Sequence, residues 1–236
     1  MLNVLAAERL KLKRDRLLLM STMAAVIFPL MLLGGGANEL TSLRWVFRLQ
    51  MMCQLCVYPI LSGFVITFLM QKEYADLTII SALTAPVSRM KFLFGKLTVW
   101  FVWHLTVAVC FTAVICLGVY TLFGASEFAE IMPTVIKMTM TTGIFSFGSL
   151  IPAAWIAVMQ RKMFYPSLMF SLAATGLGFA GLLQPGLLGS AMPWSAVLLL
   201  TMPGGAVNSR IAYASIAVCA VLGLLLAALA FRKQEL

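Results

Sequence analysis

Residues 71–96, QKEYADLTIISALTAPVSRMKFLFGK, form the longest polar break between two long apolar runs. The break carries Lys72, Glu73, Asp76, Arg89, Lys91 and Lys96, in a chain where only 11% of residues are charged and 62% are hydrophobic. A soluble domain carries about 25% charged residues. The mean hydropathy of +1.00 leaves more apolar surface than one soluble core can hide. The chain is therefore an integral membrane protein. Its long unbroken apolar runs make it helical; a barrel would alternate over segments of about ten residues. The break itself holds no catalytic grouping. It has the character of a handle, a short helical segment kept outside the membrane for another protein to grip.

Working outward from the handle, residues 49–70 (with Pro59) form the span before it and residues 97–122 (with Trp100 and Trp103 near the start) the span after it. Residues 17–34, bent at Pro29, make a first span, followed by a Gly-rich turn and a polar stretch with Glu39, Arg44 and Arg48. A short acidic loop with Glu127 and Glu130 leads to a fourth span at 131–159, which contains Pro152. Arg161-Lys162 form a tight turn, and spans five and six cover 163–183 and 211–231. Each span has 18 to 29 residues, enough at 1.5 Å per residue for a hydrocarbon layer of roughly 30 Å. Residues 184–209 are apolar but broken by Pro185, Gly186, Gly189, Pro193, Pro203, Gly204 and Gly205. Irregular backbone at membrane depth needs shielding by protein or water. One or two short re-entrant helices dipping into the outer face are expected there, with Trp194 at the interface.

Residues 1–16, MLNVLAAERLKLKRDR, place Leu2, Leu5, Ala6 and Leu12 on one helical side, interrupted by Arg9, whose stem can snorkel. This predicts an amphipathic helix along the membrane surface. Glu8, Asp15 and a following apolar stretch of spanning length argue against a cleaved signal. The expected fold is thus an all-α integral membrane protein, a single six-helix domain over residues 1–236.

The chain has 17 Lys and Arg and a net charge of +9. Five lie in residues 1–16, four in the handle, two at Arg161-Lys162 and two at Arg232-Lys233, thirteen on one side of the predicted topology. Arg44, Arg48, Lys137 and Arg210 lie on the other. Cytoplasmic loops carry the excess, which puts both termini and the handle in the cytoplasm. The positive balance then reflects orientation and attraction to anionic lipid, and no nucleic-acid partner is expected.

Enzyme chemistry is poorly supplied. No Gly-x-Ser-x-Gly, His-Glu-x-x-His or paired glutamates occur on a span, and His104 has no carboxylate within a helical turn. His104 fits helix packing beside Trp100 and Trp103. The five cysteines, Cys53, Cys56, Cys110, Cys116 and Cys219, all fall in apolar runs, and the single C-x-x-C at Cys53 and Cys56 has no second pair. Packing, not metal or disulfide chemistry, is expected of them. The spans carry no acidic residue at mid-membrane, where an ion-coupled carrier would need ligands. The only Gly-Lys, Gly95-Lys96, lacks the rest of an ATP loop. Any work done by this chain must draw its energy from a partner.

Within the handle, residues 73–83 can form a short helix exposing Glu73, Asp76 and Thr78 and offering Leu77, Ile79, Ile80 and Leu83 for docking. Thr84-Ala85-Pro86 breaks it and can start a second helix. Residues 87–96, basic and apolar, would lie at the lipid surface and lead into the third span. The residues alone leave a gripped handle and a solvated connecting loop equally open.

The run Glu73-Tyr74, Leu77-Thr78-Ile79, Leu83-Thr84-Ala85-Pro86-Val87-Ser88-Arg89, Phe92, Gly95-Lys96 resembles the permease subunits of ABC-2 type transporters. In these, an acidic residue after the second span opens a coupling helix, and a Pro-x-Ser-Arg … Gly-Lys stretch leads into the third. Ala7-Glu8-Arg9-Leu10-Lys11-Leu12-Lys13 resembles the family's Glu-x-x-Lys interface helix, and residues 184–209 stand where the family has its re-entrant helices. Asp76-Leu77-Thr78 departs from the pattern, since many relatives have Gly before the Thr. The resemblance implies a half-transporter pairing with a second permease, identical or homologous, on two ATPase subunits. It assigns the ATPase-coupling interface to Glu73, Tyr74, Asp76, Leu77, Thr78, Ser88 and Arg89, and the interface helix to Glu8 and Lys11. This chain would need no cofactor; ATP and Mg would be bound by the partner ATPase. The small size, the 16 Met residues and Pro193-Trp194 look most like permeases of lantibiotic immunity and bacitracin resistance in the bacterial plasma membrane. These export membrane-active peptides or other amphipathic substrates. A non-transporting membrane scaffold and an ion-coupled carrier are the alternatives. Small residues such as Ala174, Gly178 and Gly181 would pack span five closely, against a second chain or within this one.

Overall fold

A computed structural model describes residues 16–35, 40–75, 89–160, 163–184, 186–202, 204–205 and 207–233. These residues are helical throughout, apart from turns and an isolated parallel bridge between Gly186 and Val207. The helices are α1 (Arg16–Leu32), α2 (Ser42–Gln50), α3 (Tyr58–Ala75), α4 (Arg89–Phe123), α5 (Ala125–Leu150), α6 (Pro152–Met159), α7 (Pro166–Leu183), α8 (Leu187–Ala191), α9 (Pro193–Leu199) and α10 (Ser209–Lys233). A π-helical segment, Met51–Val57, joins α2 to α3 without a break.

Five stretches are long and apolar enough to cross a membrane: Ser42–Lys72, Met90–Phe123, Ala125–Met159, Pro166–Leu183 and Ser209–Lys233. The first predicted span corresponds to α1, a shorter apolar helix of 17 residues that buries Pro29. The predicted interface helix at residues 1–16 lies outside the described residues except for Arg16, which begins α1.

Helix ends differ from expectation wherever charge stood in for a helix terminus. Residues 89–96 do not form a separate surface segment; they are the first turns of α4, with Phe92, Leu93 and Lys96 buried. Glu127 and Glu130 lie in α5, and the loop before them shrinks to Gly124, whose φ of 90° suits glycine alone. Arg44 and Arg48, one turn apart, occupy the exposed face of α2, while Trp45, Val46 and Leu49 are buried. The fourth span, expected to run on through Pro152, divides into α5 and α6 at Ile151.

The described part of residues 184–209 contains two short helices, α8 and α9, and α9 is buried from Ser195 to Leu199. Trp194, expected at the membrane interface, is half-buried. Its Nε1 donates to Ser149 O at 3.0 Å, and its ring meets Phe170 edge-on.

The bundle centre is aromatic and aliphatic, with Trp45, Tyr58, Trp100, Phe111 and Phe231 almost wholly buried. Tyr58 donates to Ala25 O at 3.1 Å and Trp103 to Thr22 Oγ1 at 3.0 Å, fixing α1 against α3 and α4. Outer faces carry large exposed apolar side chains, including Met20, Met31, Leu172 and Leu225, as a lipid-facing surface requires. The small residues of α7 pack within the chain. A Cβ on Gly178 would lie 2.4 Å from Leu55 Cδ1, and one on Gly181 2.1 Å from Ser195 Oγ.

Candidate functional site

Antiparallel helix pairs bring one set of termini to a common end: the start of α1, the end of α3, the starts of α4 and α7, and the ends of α6 and α10. Arg16, Lys72, Lys91, Lys96, Arg232 and Lys233 belong to this end. The handle is the stretch of sequence between the last turn of α3 and the first turn of α4. Glu73 and Tyr74 lie in the last turn of α3, and Arg89 is the first residue of α4. Asp76, Leu77, Thr78 and Ser88 lie outside the described residues, as do Glu8 and Lys11.

Each foot of the handle is fastened to a different helix. On the α3 side, Gln71 Nε2 donates to Met163 O, and Thr67 and Ser167 share a hydroxyl hydrogen bond. Gln160 clasps Ser167 from both sides: its Nε2 donates to Ser167 Oγ at 2.8 Å, and its Oε1 accepts from Ser167 N at 3.1 Å. Thr67, Ser167 and Gln160 are all buried. Gly63 brings α3 so close to α7 that a Cβ there would stand 2.1 Å from Ser171 Oγ. On the α4 side, Phe92 stacks on Phe231 of α10 with centroids 6.0 Å apart and planes 9° from parallel. Lys96 Nζ lies 5.4 Å from the Phe92 ring and Lys72 Nζ 5.6 Å from Phe68, both within cation–π range. The end of α3 is therefore bonded to the α7 side of the bundle and the start of α4 to α10.

Polar groups within the bundle make a second layer, absent from the sequence prediction. His104 Nε2 lies 3.1 Å from Gly143 O, which can only accept, so Nε2 carries the proton. Its Nδ1 faces Ser62 Oγ at 3.4 Å, and Ser62 Oγ also accepts from Trp100 Nε1 at 2.9 Å. His104 is thus held by a backbone carbonyl, a serine hydroxyl and the rings of Trp103 and Phe147. Gln50 donates to Thr142, and Thr142 lies 3.1 Å from Thr201 on the α9 side. The available signal was small or polar residues at four-residue spacing inside apolar runs, such as Gly63, Thr67 and Gln71 or Ser167, Ser171 and Thr175. Among the described residues no group of three His, Cys, Asp or Glu is placed to hold a metal, and the five cysteines are free thiols.

The segment between α3 and α4 thus joins two buried footings at the most basic end of an apolar bundle. Against known proteins, residues 4–178 match the family model described as ABC-2 family transporter protein. That region includes the handle and both its feet and ends within α7. No curated protein and no solved structure gives a significant match. The match covers well over half of the 236 residues, and the chain belongs to the ABC-2 transporter family.

Proposed function

We propose that this chain is one membrane half of an ATP-driven exporter and that its ATPase grips it through the segment between α3 and α4. The family supports the first part: an ABC-2 permease is the transmembrane component of its transporter, and ATP hydrolysis belongs to a partner ATPase. The observation that carries the second is the double footing of the handle on α7 and α10. In this reading Glu73, Tyr74, Asp76, Leu77, Thr78, Ser88 and Arg89 meet the ATPase, and Glu8 and Lys11 lie on a surface helix beside it. Two ATPase subunits drive two permease chains, each closure pushing the handle and tilting α3 with α7 against α4 with α10.

The orientation follows from the same end. The cluster of Arg16, Lys72, Lys91, Lys96, Arg232 and Lys233 supports a cytoplasmic handle and cytoplasmic termini in a bacterial plasma membrane. We assign α1 as a sixth crossing. At 17 residues it reaches about 26 Å at 1.5 Å per residue, and its exposed Leu19, Met20, Met23, Ile27 and Met31 suit lipid. The α8–α9 pair then dips from the outer side. The substrate we infer is an amphipathic, membrane-active peptide of the lantibiotic or bacitracin kind. Adaptable Met side chains exposed on the bundle, such as Met159, Met163 and Met169, support that choice.

The test is Glu73→Arg. The variant is expected to reach the membrane at wild-type level and to lose both ATPase stimulation and cellular tolerance to such a peptide. Retained ATPase stimulation would remove Glu73 from the coupling surface. Lost stimulation with peptide tolerance that never depended on the chain would leave the coupling and refute the substrate.

A further inference from the structure

Three neighbouring helices repeat one pattern on their outer faces. On α1 the exposed residues Arg16, Met20, Met23, Ile27 and Met31 recur every three or four positions, while Ser21, Ala25 and Pro29 are buried. On α4 the exposed series starts at Lys91 and continues through Phe94, Phe101 and Val102. On α10 it runs through Val218, Leu222, Leu225 and Leu229 and finishes at Arg232 and Lys233. Such spacing keeps each series on one side of its helix. Each apolar stripe is thus capped by an exposed cation, and on all three helices the cap lies at the handle end. The helices are held together: Trp103 of α4 donates to Thr22 of α1, and Phe92 of α4 stacks on Phe231 of α10. Lys91 and Arg232 are the next residues beyond that stacked pair, both towards the handle end.

In a bilayer, exposed stripes of this kind lie against acyl chains, which sets their capping cations at headgroup level. A Lys or Arg there lays its apolar stem along the chains and extends its charge into the headgroup layer. Arg232 can hold a phosphate through two parallel N–H donors, and the lysines act on it as point charges. Lys72 and Lys96 at the same end are more covered and lie over the Phe68 and Phe92 rings. Among the described residues the acid at this end is Glu73, in the last turn of α3 and outside the three helices. Their described caps are therefore of one sign, which favours a headgroup of net negative charge over a zwitterionic one whose ammonium balances its phosphate. At the other end the exposed Arg44 and Arg48 share the surface with Glu127 and Glu130.

We propose that Arg16, Lys91, Arg232 and Lys233 form a binding surface for anionic phospholipid, with the phosphates at these cations and the acyl chains along the stripes of α1, α4 and α10. The surface works in whichever leaflet the handle end meets, so it stands apart from the ATPase reading. The test is native mass spectrometry of the full-length protein in mild detergent, titrated with phosphatidylglycerol and with phosphatidylcholine of the same acyl chains. The unsubstituted protein is expected to retain phosphatidylglycerol at severalfold lower lipid concentration, and to keep it in excess inorganic phosphate because the chains anchor it. Arg232→Gln with Lys233→Gln should weaken phosphatidylglycerol retention by about fivefold per cation removed and leave phosphatidylcholine unchanged. Arg44→Gln with Arg48→Gln removes the same charge from the other end and should leave both lipids unchanged. Equal retention of the two lipids by the unsubstituted protein would overturn the proposal. So would equal losses in the two double variants, which would make net charge the cause, or release of the lipid by inorganic phosphate alone.

Discussion

A Cβ on Gly223 would lie 2.7 Å from Pro152 N and 3.0 Å from Ile151 C, so α10 touches the backbone of the α5–α6 break directly. Backbone on the other side cannot rotate away as a side chain can. Gly223→Ala should therefore destabilise the protein by about 1–3 kcal/mol, the usual cost of overpacking, read as a lower thermal midpoint. Gly176→Ala, where a Cβ meets nothing within 4 Å, should leave the midpoint unchanged or slightly raised. His104 makes the complementary case. Its contacts are Gly143 O, Ser62 and the rings of Trp103 and Phe147. His104→Ala should cost roughly 1–3 kcal/mol in stability through the groups left unpaired, while partner ATPase stimulation persists. Loss of stimulation in a variant of normal stability would give His104 a role these contacts do not supply. The residue types at these positions were plain in the sequence, but their partners were not. Ala174, Gly178 and Gly181 mark a close-packed face by their spacing alone, whereas only the fold identifies Leu55, Trp194 and Ser195 as what they pack against.

At the scale of elements, hydropathy located the apolar bodies of the helices and misjudged their ends. It falls where lipid gives way to water, but a helix continues past that point as long as nothing breaks it. Arg89, Lys91 and Lys96 consequently open α4, and Glu127 and Glu130 open α5. True breakers were legible: Pro152 divides α5 from α6, and Gly186 with Pro193 bounds the short helices. The π segment was not legible, because MMCQLCV contains neither Gly nor Pro. The footing of the handle was half legible, since Thr67, Gln71, Ser167 and Gln160 stand out as polar residues in or beside apolar runs, while their pairing depends on how α3, α6 and α7 meet. The element most in need of a direct test is α1. If it crosses the bilayer, a cysteine placed at Gly35 should react with a membrane-impermeant thiol reagent from outside intact cells, and one at Arg16 only after permeabilisation. Labelling of both from the same side would make α1 a surface or hairpin element and reduce the crossings to the five longer stretches.

For the molecule as a whole, basic residues gather most densely at the handle end, while the other end mixes both signs, with Arg44, Arg48 and Arg210 alongside acidic residues. The described acids of α5, Glu127 and Glu130, lie at the end opposite Lys72, Lys91, Lys96, Arg232 and Lys233, and Ser42 donates to Glu127 there. Between the two ends the described residues form a packed core crossed by hydroxyl contacts such as Thr112 with Thr139. On the proposed function, a push at one end becomes a tilt of helices. That reading joins the family membership, the fastening of the handle and the basic end in one account, and it stands or falls on a physical partner at residues 73–89. The decisive measurement is capture of the tagged, full-length protein from membranes in mild detergent, with mass spectrometry of what accompanies it. The account predicts that an ATPase subunit copurifies with the unaltered chain and is lost when residues 73–83 are deleted, although the membrane bundle still purifies. Purification of the unaltered chain alone, as a stable oligomer without an ATPase, would contradict it.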